Sequence, residues 1–102
     1  MFKTKIQENG AEMTVVLIGE LDTAASKSFT VTMEKEILPC CGKAVTLDFS
    51  ALEFISSSGL RQLLVIRKEA GRLGGSIRST GMKEDILEIF KLSGLDTMFG
   101  IQ

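Results

Sequence analysis

Leu47-Asp48-Phe49-Ser50-Ala51-Leu52-Glu53-Phe54-Ile55-Ser56-Ser57-Ser58-Gly59-Leu60 is the stretch whose reading decides the fold. It opens in a short apolar run, Ala44-Val45-Thr46-Leu47, bounded by Gly42 and Ser50. Lys43 to Phe49 therefore reads as a strand buried on both faces. Ala51 to Ser56 reads as a short connection. A helix follows from about Ser58 to Leu73, its apolar stripe formed by Leu60, Leu63, Leu64, Ile66, Ala70 and Leu73. Gly74-Gly75 closes it, since glycine takes the left-handed helix cap without a steric penalty.

Upstream, Phe2 to Glu8 and Glu12 to Gly19 are two alternating segments separated by Asn9-Gly10, a strong hairpin signal. The second is rich in β-branched residues and reads as a central strand. Asp22 and Thr23 supply N-cap chemistry for a first helix. Ala25, Phe29, Met33 and Ile37 recur along it at every fourth position, and Pro39 is expected to end it. Downstream, Ser76 to Ser79 is a short strand, and Lys83 to Leu92 a third helix with Ile86, Ile89 and Phe90 on one face. Gly94 suits its stop. Thr97 to Ile101 reads as a last short strand or a turn. The order is β-β-α-β-α-β-α-(β), an α/β fold with a mixed sheet of four to five strands and helices mainly on one face.

The chain has 102 residues, which reads as one domain over residues 1–102. Hydrophobic residues make up 44% and charged residues 25%, ordinary globular usage that argues against disorder. The formal net charge is -1 with Lys and Arg scattered, so no basic footprint for nucleic acid is present. No apolar run approaches the roughly 18 residues of a membrane span. The opening Met1-Phe2-Lys3-Thr4-Lys5 lacks the apolar core of a signal peptide, so a cytoplasmic location is the default expectation. Cys40 and Cys41 are the only cysteines and histidine is absent. Two reduced thiols at a helix-to-strand connection are expected, with redox or metal sensing the lesser alternative. Without histidine, Ser-His-Asp and Cys-His nucleophile pairs cannot be built, and no Ser-x-x-Lys motif occurs. The chain is not expected to be an enzyme or to carry a cofactor. The five methionines read as core filler.

Three serines and a glycine, Ser56-Ser57-Ser58-Gly59, stand at the start of the second helix. Free N–H groups and the positive end of the helix dipole favour an anion there. A phosphate on such a serine brings roughly -1.5 to -2 charges to the surface. Capping alone needs one serine, so the residues themselves leave two readings open, a cap and a switch.

The chain resembles the STAS family, and within it the stand-alone bacterial anti-sigma factor antagonists. Gly19-Glu20-Leu21-Asp22 resembles the family's G-x-L-D. The Leu47-Asp48-Phe49-Ser50 and Phe54-Ile55-Ser56-Ser57-Ser58-Gly59-Leu60 segments resemble its central L-D-L-S and F-(I/M)-D-S-S-G-L. Gly74-Gly75 and Leu92-Ser93-Gly94-Leu95-Asp96-Thr97-Met98-Phe99 resemble its G-G and (T/S)-G-L-D-x-x-F signatures. The resemblance implies a STAS-like fold and a phosphorylated serine at Ser57. It implies a partner surface of Asp22, Ser56, Ser57, Ser58 and Gly59. It further implies a cycle in which the unphosphorylated domain binds an anti-sigma factor that is also a serine kinase, is released on phosphorylation, and is restored by a metal-dependent serine phosphatase.

At one important point the chain departs from the family pattern: Ser56 stands where aspartate is usual. Serine retains hydrogen bonding but carries no charge. A constitutive adaptor, in a signalling, stressosome-like or lipid-transport assembly without phosphorylation, is the second expectation. Nucleotide binding is a third and weaker one, since no P-loop or dinucleotide fingerprint is present. Asp22 reads both as a helix cap and as part of the partner surface. Asp48 reads as a cap for the turn after its strand.

Overall fold

The computed structural model describes residues 1–95 and 99. Its elements run β1 (Phe2–Asn9), β2 (Glu12–Leu21), α1 (Thr23–Thr32), β3 (Ala44–Ile55), α2 (Ser57–Leu73), β4 (Ser76–Thr80) and α3 (Glu84–Leu92). The strands form one sheet in the order β1-β2-β3-β4. β1 is antiparallel to β2, while β2–β3 and β3–β4 are parallel. This is the expected mixed sheet, with four strands. The reading of Thr97 to Ile101 as a further strand or turn lies, Phe99 apart, outside the described residues.

The hairpin forms where Asn9-Gly10 predicts it. Asn9 pairs with Glu12, so Gly10 and Ala11 make the turn. Gly10 alone takes positive φ, at 63°. Positive φ at the first central position is the type II′ arrangement, which matches the twist of the flanking strands.

All three helices pack on one face. Met13, Val15 and Leu17 of β2 and Val45, Leu47 and Phe49 of β3 are buried against Phe29, Leu63, Ile66, Ile86 and Phe90 in one core. Fully burying a side chain of this size contributes about 1.5–3 kcal/mol. Phe90 meets Phe49 and Phe99 edge-on, at centroid distances of 5.7 and 5.3 Å. On the other face, Thr14, Val16, Ile18, Thr46 and Asp48 are half-buried. β3 is thus buried on one face, not two as its apolar run suggests, because no helix among the described residues covers the second.

Two further expectations are corrected. β3 does not end at Phe49; it continues through the supposed connection to Ile55. Its buried residues are two apart at Val45, Leu47 and Phe49, then three apart at Leu52 and Ile55. Register shifts opposite Val16/Ile18 and Gly19/Glu20 each place one extra β3 residue against β2. Such bulges re-aim the side chains and break the period of two by which a strand is recognised. Asp48 Oδ1 fixes the first bulge, accepting from Ser50 N at 2.9 Å and Ser50 Oγ at 2.7 Å. The expected cap at Asp48 is therefore present, inside a longer strand.

The second correction concerns Pro39. Leu38 keeps helical angles, φ -59° and ψ -39°. After Thr32 the chain widens into an i→i+5 turn over Met33–Ile37, then tightens into a short 3₁₀ turn over Leu38–Cys40. A repeat of four drifts about 40° per step on an α-helix of 3.6 residues per turn. Widening the last turn lets Met33 and Ile37 follow Phe29 into the core, and Pro39 near the start of the 3₁₀ turn has no N–H to satisfy.

Candidate functional site

β2 and β3 end side by side, Leu21 opposite Ile55. Each runs directly into a helix, so α1 and α2 begin at the same edge of the sheet. Asp22 caps α1 from an extended conformation, φ -86° and ψ -175°, and its Oδ1 accepts from Ala25 N at 2.8 Å. Ser56 caps α2 in the same manner, φ -88° and ψ 169°, its Oγ accepting from Gly59 N at 3.1 Å. A cap of this kind is worth about 0.5–2 kcal/mol.

The two starts are stitched together. Ser56 N donates to Leu21 O at 2.9 Å. Ser58 Oγ donates to Thr23 Oγ1 at 3.5 Å, at the outer limit of a hydrogen bond. Beneath them Gly59 is buried, and a Cβ there would lie 2.7 Å from Leu21 Cγ and 2.9 Å from Leu21 O. No side chain fits without moving β2, which is the physical reason for glycine at that position. Asp22, Ser56, Ser58 and Gly59 are thus brought together around Leu21, with Ser57 at the rim.

The three serines are not equivalent. Ser56 and Ser58 are half-buried and hydrogen-bonded through their hydroxyls, whereas Ser57 is exposed. The Ser57 hydroxyl has no hydrogen-bond partner among the described residues. Of the four N–H groups that a helix start leaves open, Leu21 O takes that of Ser56 and Ser56 Oγ takes that of Gly59. Those of Ser57 and Ser58 have no partner among the described residues, and they lie beside an exposed hydroxyl and the positive ends of two helix dipoles. Such a hydroxyl can accept a phosphoryl group without breaking a contact, and the free N–H groups can take part of its charge.

Sequence reasoning gives Lys83 only as the start of the third helix, yet its side chain secures the strand that carries the site. β4 stops opposite Asp48, leaving the later part of β3 without a neighbouring strand on that side among the described residues. Lys83 Nζ donates there to Ser50 O at 2.9 Å and Leu52 O at 3.2 Å, and meets Glu53 Oε1 at 3.4 Å. No local sequence signal marks this role, because it joins residues about thirty positions apart. Arg61 shares the outer surface of α2 with this site. It is exposed one turn beyond Ser57, a spacing of four that makes the two neighbours on the helix surface.

The cysteines lie away from this site, near the other end of β3. Both thiols are free, Cys40 half-buried and Cys41 buried. Burial, with the Glu69 carboxylate and Cys40 adding to it, pushes the Cys41 thiol up to about 11. Cys40 Sγ donates to Glu8 Oε1 at 3.3 Å, and burial followed by that bond raises its pKa. Neither thiol is activated, in accord with the reading as plain reduced cysteines. No helix among the described residues is long and apolar enough to cross a membrane.

Comparison with known proteins places the chain in a family. The chain is 32% identical over 59 residues to BtrV of Bordetella bronchiseptica, a protein named for anti-sigma factor antagonism; the match spans 58% of this chain and 51% of that one. Its fold is similar to that of an anti-sigma factor antagonist from Mycobacterium paratuberculosis, with a TM-score of 0.80 at 21% identity over 99% of this chain and 85% of the other. It is also similar to the Bacillus cell fate determinant SpoIIAA in its phosphorylated form, with a TM-score of 0.70 at 22% identity over 100% and 89% of the two chains. The family model described as "Mlab, STAS domain" matches residues 4–101, and this chain belongs to the STAS domain family.

Proposed function

We propose that the chain is an anti-sigma factor antagonist whose binding is switched by phosphorylation of Ser57. The observation that carries this reading is the contrast among the serines: only the Ser57 hydroxyl is exposed and uncommitted, at a helix start with two N–H groups to spare. In the unmodified state, Asp22 and the Ser56-Ser57-Ser58-Gly59 turn present a surface to an anti-sigma factor that is also a serine kinase. That kinase passes the γ-phosphoryl group of ATP to Ser57 Oγ, whose proton leaves to a base on the kinase, and ADP is released. The added charge then repels the partner surface at the contact. A serine phosphatase hydrolyses the ester and restores binding. The naming of BtrV and the existence of SpoIIAA in unphosphorylated and phosphorylated forms support the reading.

The test is incubation with the cognate kinase and ATP, followed by peptide mass spectrometry. One phosphate on Ser57, lost in Ser57→Ala, is the expected result. A phosphate that persists in Ser57→Ala at another residue contradicts the assignment. A chain that binds its partner and never gains phosphate favours the constitutive adaptor, the reading that the uncharged Ser56 motivates.

A further inference from the structure

α2 carries four cations, Arg61, Arg67, Lys68 and Arg72, against the single carboxylate Glu69. One of them already shows how this helix pairs charge. Arg72 Nε and Nη2 each donate at 2.8 Å to the two oxygens of Glu69, which lies one turn towards the N-terminus. An anion that precedes its cation by one turn is the favourable order on a helix, because it also complements the dipole. Arg61 has no such neighbour. The positions three and four before it are Ser58 and Ser57, and those three and four after it are Leu64 and Val65. It is exposed and has no ion-pair partner among the described residues. What stands one turn before it, also exposed, is Ser57 with its hydroxyl.

Resting on the assignment of Ser57 as the modified residue, we propose that Arg61 is the internal receptor of the phosphate. The phosphorylated Ser57 side chain draws the Arg61 guanidinium back along α2 into a closed ion pair. Modification then changes the surface twice. It adds an anion at the helix start, and it withdraws a free cation from the outer face of α2. A guanidinium suits this role better than an ammonium, because its planar fork binds two phosphate oxygens at once. Lys68, further along the helix, lies beyond the reach of the same phosphate.

The experiment uses the full chain with phosphoserine installed at position 57 by codon suppression, so it does not depend on a kinase. The phosphate is titrated by ³¹P NMR at low salt, in the wild-type background and in Arg61→Gln, Arg61→Lys and Lys68→Gln. Phosphoserine ordinarily loses its second proton near pH 6. The expected midpoint in Arg61→Gln is about 0.5 pH unit higher than in wild type, a roughly threefold change in proton affinity. Arg61→Lys is expected between the two and Lys68→Gln close to wild type, with the difference shrinking in high salt. A midpoint in Arg61→Gln within about 0.1 unit of wild type overturns the proposal, as does a Lys68→Gln shift of equal size. Failure of a kinase to act on Ser57 would count against the proposed function and leave this titration unaffected.

Discussion

Gly59 shows at the scale of one residue how packing constrains the site. Adding a methyl group there gains about 1 kcal/mol of helix propensity. It also drives a Cβ to 2.7 Å from Leu21 Cγ and 2.9 Å from the backbone oxygen of Leu21, an overpacking towards the upper end of about 1–3 kcal/mol, which outweighs the gain and shifts the strand end that holds Ser56 N. Gly59→Ala is expected to unfold at lower urea concentration than wild type; an unchanged midpoint would show that the two helix starts do not lock together. Ser79 is the opposite case. Its Oγ is buried and has no hydrogen-bond partner among the described residues. A buried polar group without a partner costs about 1–3 kcal/mol, so Ser79→Ala is expected to raise the urea midpoint by the equivalent of about 1 kcal/mol. At this scale the sequence revealed the serine cluster and its anion-friendly setting. Resemblance singles out Ser57, but the local residues alone do not rank the three serines, since the hydroxyls are told apart by Thr23 and Gly59 lying where the fold puts them.

Among the elements, the paired starts of α1 and α2 determine what the site can be. Ser56 serves α2 as Asp22 serves α1, so the serine that replaces the family's usual aspartate retains the cap and gives up only the charge. Ser56→Ala is expected to lower stability by about 1 kcal/mol. Ser56→Asp should match or exceed wild type, because a carboxylate at a helix start contributes about 0.3–1 kcal/mol. Both are read from chemical unfolding curves, and a Ser56→Ala variant as stable as wild type would remove Ser56 from the role of cap. The hairpin, α2 with its closing glycines, and α3 were legible because each keeps one hydrophobic period between strong local stops. β3 was only half legible. Its bulges change the spacing of buried residues from two to three, and its outer end is held by Lys83 from a distant part of the chain. Pro39 misled for a related reason: the core pulls Ile37 inward and the helix changes pitch instead of stopping.

The whole molecule is a sheet with helices on one face, and its stability should respond to pH through Cys41. That thiol is wholly buried near Ile37 O and Ile66 O, and burial raises its pKa to about 11. An unfolded chain gives up the same proton near pH 8.5. Between these values the unfolded state binds fewer protons than the folded one, so stability falls as pH rises, with a limiting slope of about 1.4 kcal/mol per unit. Cys41→Ala is expected to show a shallower decline from about pH 9 to 11 in urea unfolding; parallel curves would mean that the thiol is not the titrating group. The family and its fold were legible in the motifs from Gly19 to Gly75, because those residues are required at the strand ends and helix starts that build one edge of the sheet. The exposed, uncommitted state of Ser57 emerges only when that edge is assembled. The most direct measurement of the central claim is binding of the cognate anti-sigma factor to this chain before and after treatment with its kinase and ATP, with Ser57→Ala alongside. The account predicts tight binding of the untreated chain, loss of binding as one phosphate appears on Ser57, and undiminished binding by treated Ser57→Ala. Binding that survives stoichiometric phosphorylation of Ser57 would contradict it.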